Sequence, residues 1–274
     1  MNWFTDRHFF LLAVAVYGAS AVYSVFLWRR GFRRDDHVNY FLLLAAAALQ
    51  TTAMVRRGFS FHSCPINNLY EATTFLSWTI VAIYLVVGIA HQLRFLGAFA
   101  SPVLFGIGVF ALMPSLDPPH GLQPDFSNGL VSLHASMILL AYGAFGLGAI
   151  SAGMFLAQQH DLKFHKLRAV LSLLPPIQRL ELVTFRLVLA GFILFTIGLA
   201  LGPHLPKKTD ENYWSDPKTL WSIFMWLGYL ALLLAHWRRA QSNRAFATSV
   251  IAAFAFLLLT FWGTNLLSTL HHQP

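Results

Sequence analysis

The segment LVSLHASMILLAYGAFGLGAISAGMFLA, residues 130–157, runs for 28 residues without an Asp, Glu, Lys or Arg. About 20 apolar residues in a helix cross the hydrocarbon of a bilayer, so this stretch is long enough to span one. Seven further apolar runs flank it, at 9–28, 38–55, 72–90, 95–113, 182–201, 220–237 and 245–267. Backbone polar groups in lipid must be satisfied within their own segment, so the runs read as helices and not as open strands. The whole composition agrees, with 57% of the 274 residues hydrophobic and 11% charged. A soluble domain of this length could not bury that much apolar surface. The expectation is an all-α, polytopic membrane protein of about eight transmembrane helices, forming a single integral membrane domain over residues 1–274. The first run is too long for a removable signal peptide, precedes RRGFRR and lacks a small-residue cleavage site, so it reads as a retained span.

Lys and Arg in the connections set the expected orientation. With the N-terminus outside, the inner segments carry Arg29, Arg30, Arg33, Arg34, Arg94, Lys163, Lys166, Arg168, Arg179, Arg238, Arg239 and Arg244. The outer segments carry Arg7, Arg56, Arg57, Lys207, Lys208 and Lys218, while Arg186 is assigned to a helix. This bias places both termini on the outer, periplasmic side of the inner (plasma) membrane. The net charge of +8 is then mostly a topogenic signal. It argues against a nucleic-acid partner, because no basic aromatic surface stands apart from the membrane. The single cysteine, Cys64, excludes an internal disulfide and any Cys-based zinc or iron–sulfur site held within one chain. A P-loop, a Rossmann fingerprint and a His-Glu-x-x-His motif are all absent.

Three longer connections, at 56–70, 114–129 and 202–219, fall on the outer side, and LPPIQ marks a break before the sixth helix. Function concentrates on such loops when a rigid scaffold positions them. Several histidines lie near helix ends. His134 is near the outer start of the fifth helix, His236 at the inner end of the seventh, and His271 beyond the outer end of the eighth. Neutral imidazole is a good axial ligand for porphyrin iron, so His134 and His271 are placed to bracket a flat ligand. The same residues also suit a plainer role as interfacial anchors of helix ends.

The stretch NYWSDPKTLWSIFMWLGY, residues 212–229, offers a similar choice. Trp214, Trp221 and Trp226 suit an ordinary aromatic belt. Asp216-Pro217 is a helix start, with Asp as N-cap and Pro at the first helical position. Trp214 precedes that cap in a polar loop, where a Trp ring is positioned to stack on a large flat molecule, with Lys207 or Lys218 available to neutralise a propionate. Glu71 stands in the first turn of the third helix, where a carboxylate favours the helix dipole.

Four blocks resemble one known family. CPINNLYEATTFLSW (residues 64–78) resembles the NLYES…FLSW block of the CcsA (ResC) type cytochrome c biogenesis proteins of system II. LVSLHASMILLAYGAF resembles that family's HVSMMLLSYA segment. YWSDPKTLWSIFMWLGYLALLLAHWR resembles its tryptophan-rich WWD signature and the helix that follows it, and FWGTNLLSTLHH resembles its closing segment. The blocks occur in the family's order from about residue 64 to the end, marking a cytochrome c assembly core over about 64–274.

The resemblance implies an inner-membrane protein that handles or exports haem b and presents it outside for covalent attachment to apocytochrome c. It also implies a large ResB/CcsB-like membrane partner, this chain being the membrane part of a cytochrome c haem lyase (synthase) complex. Residue by residue, it implies that His134 and His271 ligate the presented haem and that His236 serves an inner haem site. Trp214, Asp216, Pro217, Lys218 and Trp221 match what remains of the WWD block. Glu71 joins the outer face of the site, and His91, at the inner end of the third helix, is the candidate second inner ligand. Two departures stand out: Ser215 is followed directly by Asp216, without the family's intervening Trp, and the closing segment reads TLHHQP. The shortened signature also resembles that of the HemX and YpjD-like relatives. A HemX-like membrane regulator of tetrapyrrole synthesis is therefore the alternative. A small-solute transporter stands further off, because it calls for ionisable groups at mid-membrane depth and the runs here are almost purely apolar.

Overall fold

The computed structural model describes residues 5–30, 37–61, 69–117, 129–164, 177–205, 217–238 and 241–267. Those residues form eight long helices: α1 (Asp6–Arg30), α2 (His37–Phe61), α3 (Leu69–Val87), α4 (Gly97–Ala111), α5 (Gly129–Phe164), α6 (Ile177–Leu201), α7 (Pro217–Trp237) and α8 (Asn243–Leu267). Short 3-10 turns at His91–Leu96, Pro114–Leu116 and Gly202–His204 precede α4, follow α4 and follow α6. Each long helix, α4 together with the end of the turn before it, supplies a segment long and apolar enough to cross a membrane, and no strand occurs among the described residues. The chain is an all-α, multi-pass membrane protein.

Local chemistry explains several ends. α6 starts at Ile177, directly after Pro175-Pro176 in the sequence, and proline is well tolerated at a helix start. α7 starts at Pro217, as the Asp-Pro signal predicts. Arg186 lies within α6, as expected. Two helices outrun their apolar spans. α5 continues from 157 to Phe164, and α2 continues from 55 to Phe61. The second extension corrects the expected loop at 56–70. Arg56 and Arg57 belong to a helix, and Arg57 is buried, because three carboxylates on neighbouring elements compensate its charge.

α5 lies at the centre, packed most extensively on α6 and also on α3 and α8. α1 packs on α2 and α4, and α3 also meets α4. α7 packs mainly on α6 and α8, with Tyr229 stacked on Phe145 of α5 at 3.8 Å, and much of its surface faces outward. Lipid tails are as apolar as leucine, so helices in a bilayer associate through close backbone approach and interhelical hydrogen bonds. Gly143 shows the first. A Cβ there would lie 2.7 Å from the Thr79 carbonyl carbon, so only glycine lets α5 approach α3 this closely. Gln50 shows the second. It accepts from Tyr17 Oη at 2.6 Å and donates to the Thr74 carbonyl at 2.8 Å and Ser77 Oγ at 2.7 Å, joining α1, α2 and α3. These interior polar groups are uncharged.

Candidate functional site

The helix starts and ends separate the candidate residues into two groups. The His134 end holds the starts of α1, α3, α5 and α7 and the ends of α2, α4, α6 and α8. The His236 end holds the opposite termini. Side-chain contacts support this division. Trp226 of α7 donates to Thr196 Oγ1 of α6 at 2.9 Å, while His236, further along α7, faces Glu181 near the α6 start.

At the first end, His134 lies about one turn into α5 and is half-buried. Its Nδ1 is 2.7 Å from the Gly198 carbonyl oxygen of α6. A carbonyl only accepts, so Nδ1 carries the proton and Nε2 of the neutral ring keeps its lone pair. Gly198 is suited to this role in two ways. Its carbonyl belongs to the last turn of α6, and a carbonyl oxygen has a second lone pair for a side-chain donor. It also has no Cβ, which would meet Ile138 Cδ1 of α5 at 2.6 Å. A histidine whose Nδ1–H is held by a backbone carbonyl is oriented for metal ligation through Nε2, so His134 fits an axial ligand of haem iron.

Trp221 is one turn into α7 at the same end, half-buried, with its ring 5.2 Å from Phe256 and 5.3 Å from Phe224. Trp226 is committed to packing, stacked on Phe192 at 5.4 Å in addition to its bond to Thr196. Trp214, Asp216 and His271 lie outside the described residues, although α8 reaches this end at Leu267.

Glu71 is also at the His134 end, but its carboxylate is engaged. Arg57 Nε donates to Glu71 Oε1 at 2.6 Å, Arg57 Nη1 to Asp6 at 2.8 Å and Arg57 Nη2 to Asp117 at 2.5 Å. Arg7 Nε lies 3.3 Å from Asp117, and the Tyr70 ring sits under both guanidinium groups, at 4.8 Å from Arg57 and 5.4 Å from Arg7. Arg57 and Glu71 are 6% and 2% exposed. The cluster ties together α1, α2, α3 and the segment after α4. The recess beside it, lined by Ala53, Met54, Arg57, Tyr70, Glu71 and Thr74, has room for no more than about one water molecule, far less than a small-molecule site. Sequence reasoning missed Asp6, Arg57 and Asp117 because each looked like an isolated loop or terminal charge.

At the other end, His236 stacks on Phe246 at 4.0 Å and lies 5.3 Å from Phe185. Its Nε2 is 3.9 Å from Glu181 Oε1, while Asn243 Nδ2 donates to Glu181 Oε2 at 2.5 Å. A carboxylate facing one ring nitrogen favours an orientation that leaves the other nitrogen for a ligand. His91 opens the 3-10 turn after α3, at the His236 end. Its neighbour Arg94 is held by His37 Nδ1 at 2.7 Å and by the Gly88 carbonyl at 3.0 Å. Among the described residues no group of three or more His, Cys, Asp or Glu could hold a bare metal ion. One or two imidazoles are enough for haem iron.

The family described as cytochrome C assembly protein matches residues 66–272 of this chain. The cytochrome c biogenesis protein CcsA of Prochlorococcus marinus (strain NATL1A) is 28% identical over 275 residues, covering 90% of this chain and 87% of its own. The protein of the same description from Microcystis aeruginosa is 29% identical over 251 residues, covering 74% and 76%. That from Synechocystis sp. (strain PCC 6803) is 26% identical over 280 residues, covering 82% and 84%.

Proposed function

Because the chain belongs to the cytochrome c assembly protein family, we propose that it handles haem b in the inner (plasma) membrane and presents it at the His134 end, outside, for attachment to apocytochrome c. The observation that supports this reading best is the His134 Nδ1 contact with the Gly198 carbonyl at 2.7 Å. It directs the Nε2 lone pair toward a ligand and holds the ring at a fixed angle between two packed helices. An interfacial anchor has no need of a fixed tautomer.

In this proposal the bound haem supplies the vinyl groups to which the client's thiols add. The residues of this chain bind and orient. His134 ligates through Nε2, and the Gly198 carbonyl keeps its proton on Nδ1. His271 is the second outer ligand. Trp214 and Trp221 supply aromatic contact surface, and Asp216 caps the helix that carries Trp221. Glu71 belongs to the support, since its pairing with Arg57 fixes the helix ends around the site. At the inner side His236 is the ligand, with Glu181 opposite its ring and His91 as the candidate partner. A ResB/CcsB-like membrane protein is the proposed partner that receives the apocytochrome.

The direct test is a pyridine-haemochrome assay on the full chain, purified in mild detergent from a haem-replete host. A b-type spectrum is expected. Folded protein that carries no haem and takes none up on titration would refute the reading.

A further inference from the structure

The outward face of α6 carries two arginines that the haem reading does not use. Leu182, Ile193 and Ile197 are 46%, 51% and 45% exposed, and Arg179 and Arg186 are exposed as well. At 3.6 residues per turn all five fall on one stripe. The opposite face of α6 is buried, and Phe192 and Thr196 engage Trp226 of α7. Glu181, the one carboxylate of α6, lies across the helix from the stripe and faces Asn243 and His236. Among the described residues neither Arg179 nor Arg186 has a hydrogen bond or ion pair.

A bare cation on a membrane-facing helix is costly and calls for a partner. Depth identifies the kind of partner. Glu181 is level with Asn243 at the start of α8 and with His236 near the end of α7. Arg186 is five residues further along, roughly 7.5 Å deeper at 1.5 Å per residue. Helical side chains lean toward the helix N-terminus, so the Arg186 guanidinium extends back toward Arg179 and the polar boundary while its stem stays in the apolar layer. Both guanidinium groups then stand on the polar side of their own backbone positions, Arg179 about two turns nearer the helix start, with Leu182 between them in sequence and the Ile193–Ile197 surface continuing below. A carboxylate on a neighbouring membrane helix would meet Arg186 alone, at its own depth, and would leave Arg179 unused.

We propose that this stripe is a binding site for an anionic phospholipid of the leaflet at the Glu181 end. Its phosphate is held between Arg179 and Arg186 by charge-assisted hydrogen bonds, and an acyl chain lies along Leu182, Ile193 and Ile197. The site is independent of haem.

Native mass spectrometry of the full chain in neutral detergent tests this, with phosphatidylglycerol and chain-matched phosphatidylcholine as probes. The wild type retains one phosphatidylglycerol in preference to phosphatidylcholine. Arg179→Gln and Arg186→Gln each weaken that retention about tenfold, the order expected for one hydrogen bond to a charged group. Arg186→Lys keeps part of it, and Arg244→Gln, an exposed cation at the same end of the bundle, leaves it unchanged. Unaltered elution volume and melting point establish that the variants are folded. Equal retention of the two lipids, or an equal loss in Arg244→Gln, overturns the proposal. So does displacement of the lipid by millimolar inorganic phosphate, which would make this a free-anion site. Loss of a co-purifying protein with lipid retention intact would assign the stripe to a partner helix and also overturn it.

Discussion

His134 Nδ1 lies 2.7 Å from the backbone oxygen of Gly198, across the contact between the two most extensively packed helices, α5 and α6. A backbone carbonyl cannot be removed by changing a side chain, so the ring's tautomer is built into the helix pair itself. The imidazole can therefore be deleted while its support remains intact.

His134→Ala and His271→Ala should each abolish a low-spin bis-imidazole haem spectrum while the protein still inserts. Imidazole in the buffer should restore part of it, since a free ligand occupies the vacated axial position. Trp221→Ala should lower haem content without changing spin state, because stacking contributes contact and not ligation. Visible spectra of the purified variants decide this, and unaltered spectra in both histidine variants would return these residues to interfacial anchoring.

Gly198→Ala should act through α5. The new methyl would lie 2.6 Å from Ile138 Cδ1, and overpacking of this kind costs about 1–3 kcal/mol. A lower melting temperature in detergent is expected, with substantial recovery in the Gly198→Ala, Ile138→Val double variant. Failure of the smaller residue to rescue would mean that the strain is relieved elsewhere.

Arg57 should matter more than any other single charge at the His134 end. Arg57→Ala leaves Glu71 buried and without its 2.6 Å partner, and breaking a buried pair from one side costs about 3–5 kcal/mol. Glu71→Gln keeps an acceptor for Arg57 and should be milder. Thermal melts rank the two variants, and haem content gives the second readout. Loss of haem from well-folded Glu71→Gln protein would show that Glu71 meets the ligand and is not confined to the clamp.

Reporter fusions after Arg34 and after His165 should report a cytoplasmic location, and a fusion after Asp125 an external one. The Lys and Arg distribution motivates this orientation. Reversed signals would turn the His134 end inward and remove the basis for external presentation.

The eight spans were legible because length and apolarity over about 20 residues are local properties that the bilayer reads directly. The start of α7 was legible for a similar reason: Asp216-Pro217 carries its own geometry. The resemblance blocks also pointed to the right family, since each is a short contiguous string. Pairing across helices was not legible. Arg57 looked like a loop cation beyond an apolar run ending at 55, and only the folded bundle brings it to Asp6, Glu71 and Asp117, residues 51, 14 and 60 positions away. Glu71, expected on the outer face from the 67–78 block, is one of those three partners, and nothing in the sequence signalled that pairing.

Sequence by itself determined that this chain is a helical membrane protein with His134 and His236 near opposite helix ends, because hydropathy and helix rise depend only on neighbouring residues. Tertiary structure alone decided which nitrogen of His134 is free, since that depends on a carbonyl 64 residues away. It likewise decided that Glu181 faces His236. Hydrogen bonds and ion pairs act over about 3–4 Å, and only the packing of one helix on another brings such distant residues within that range.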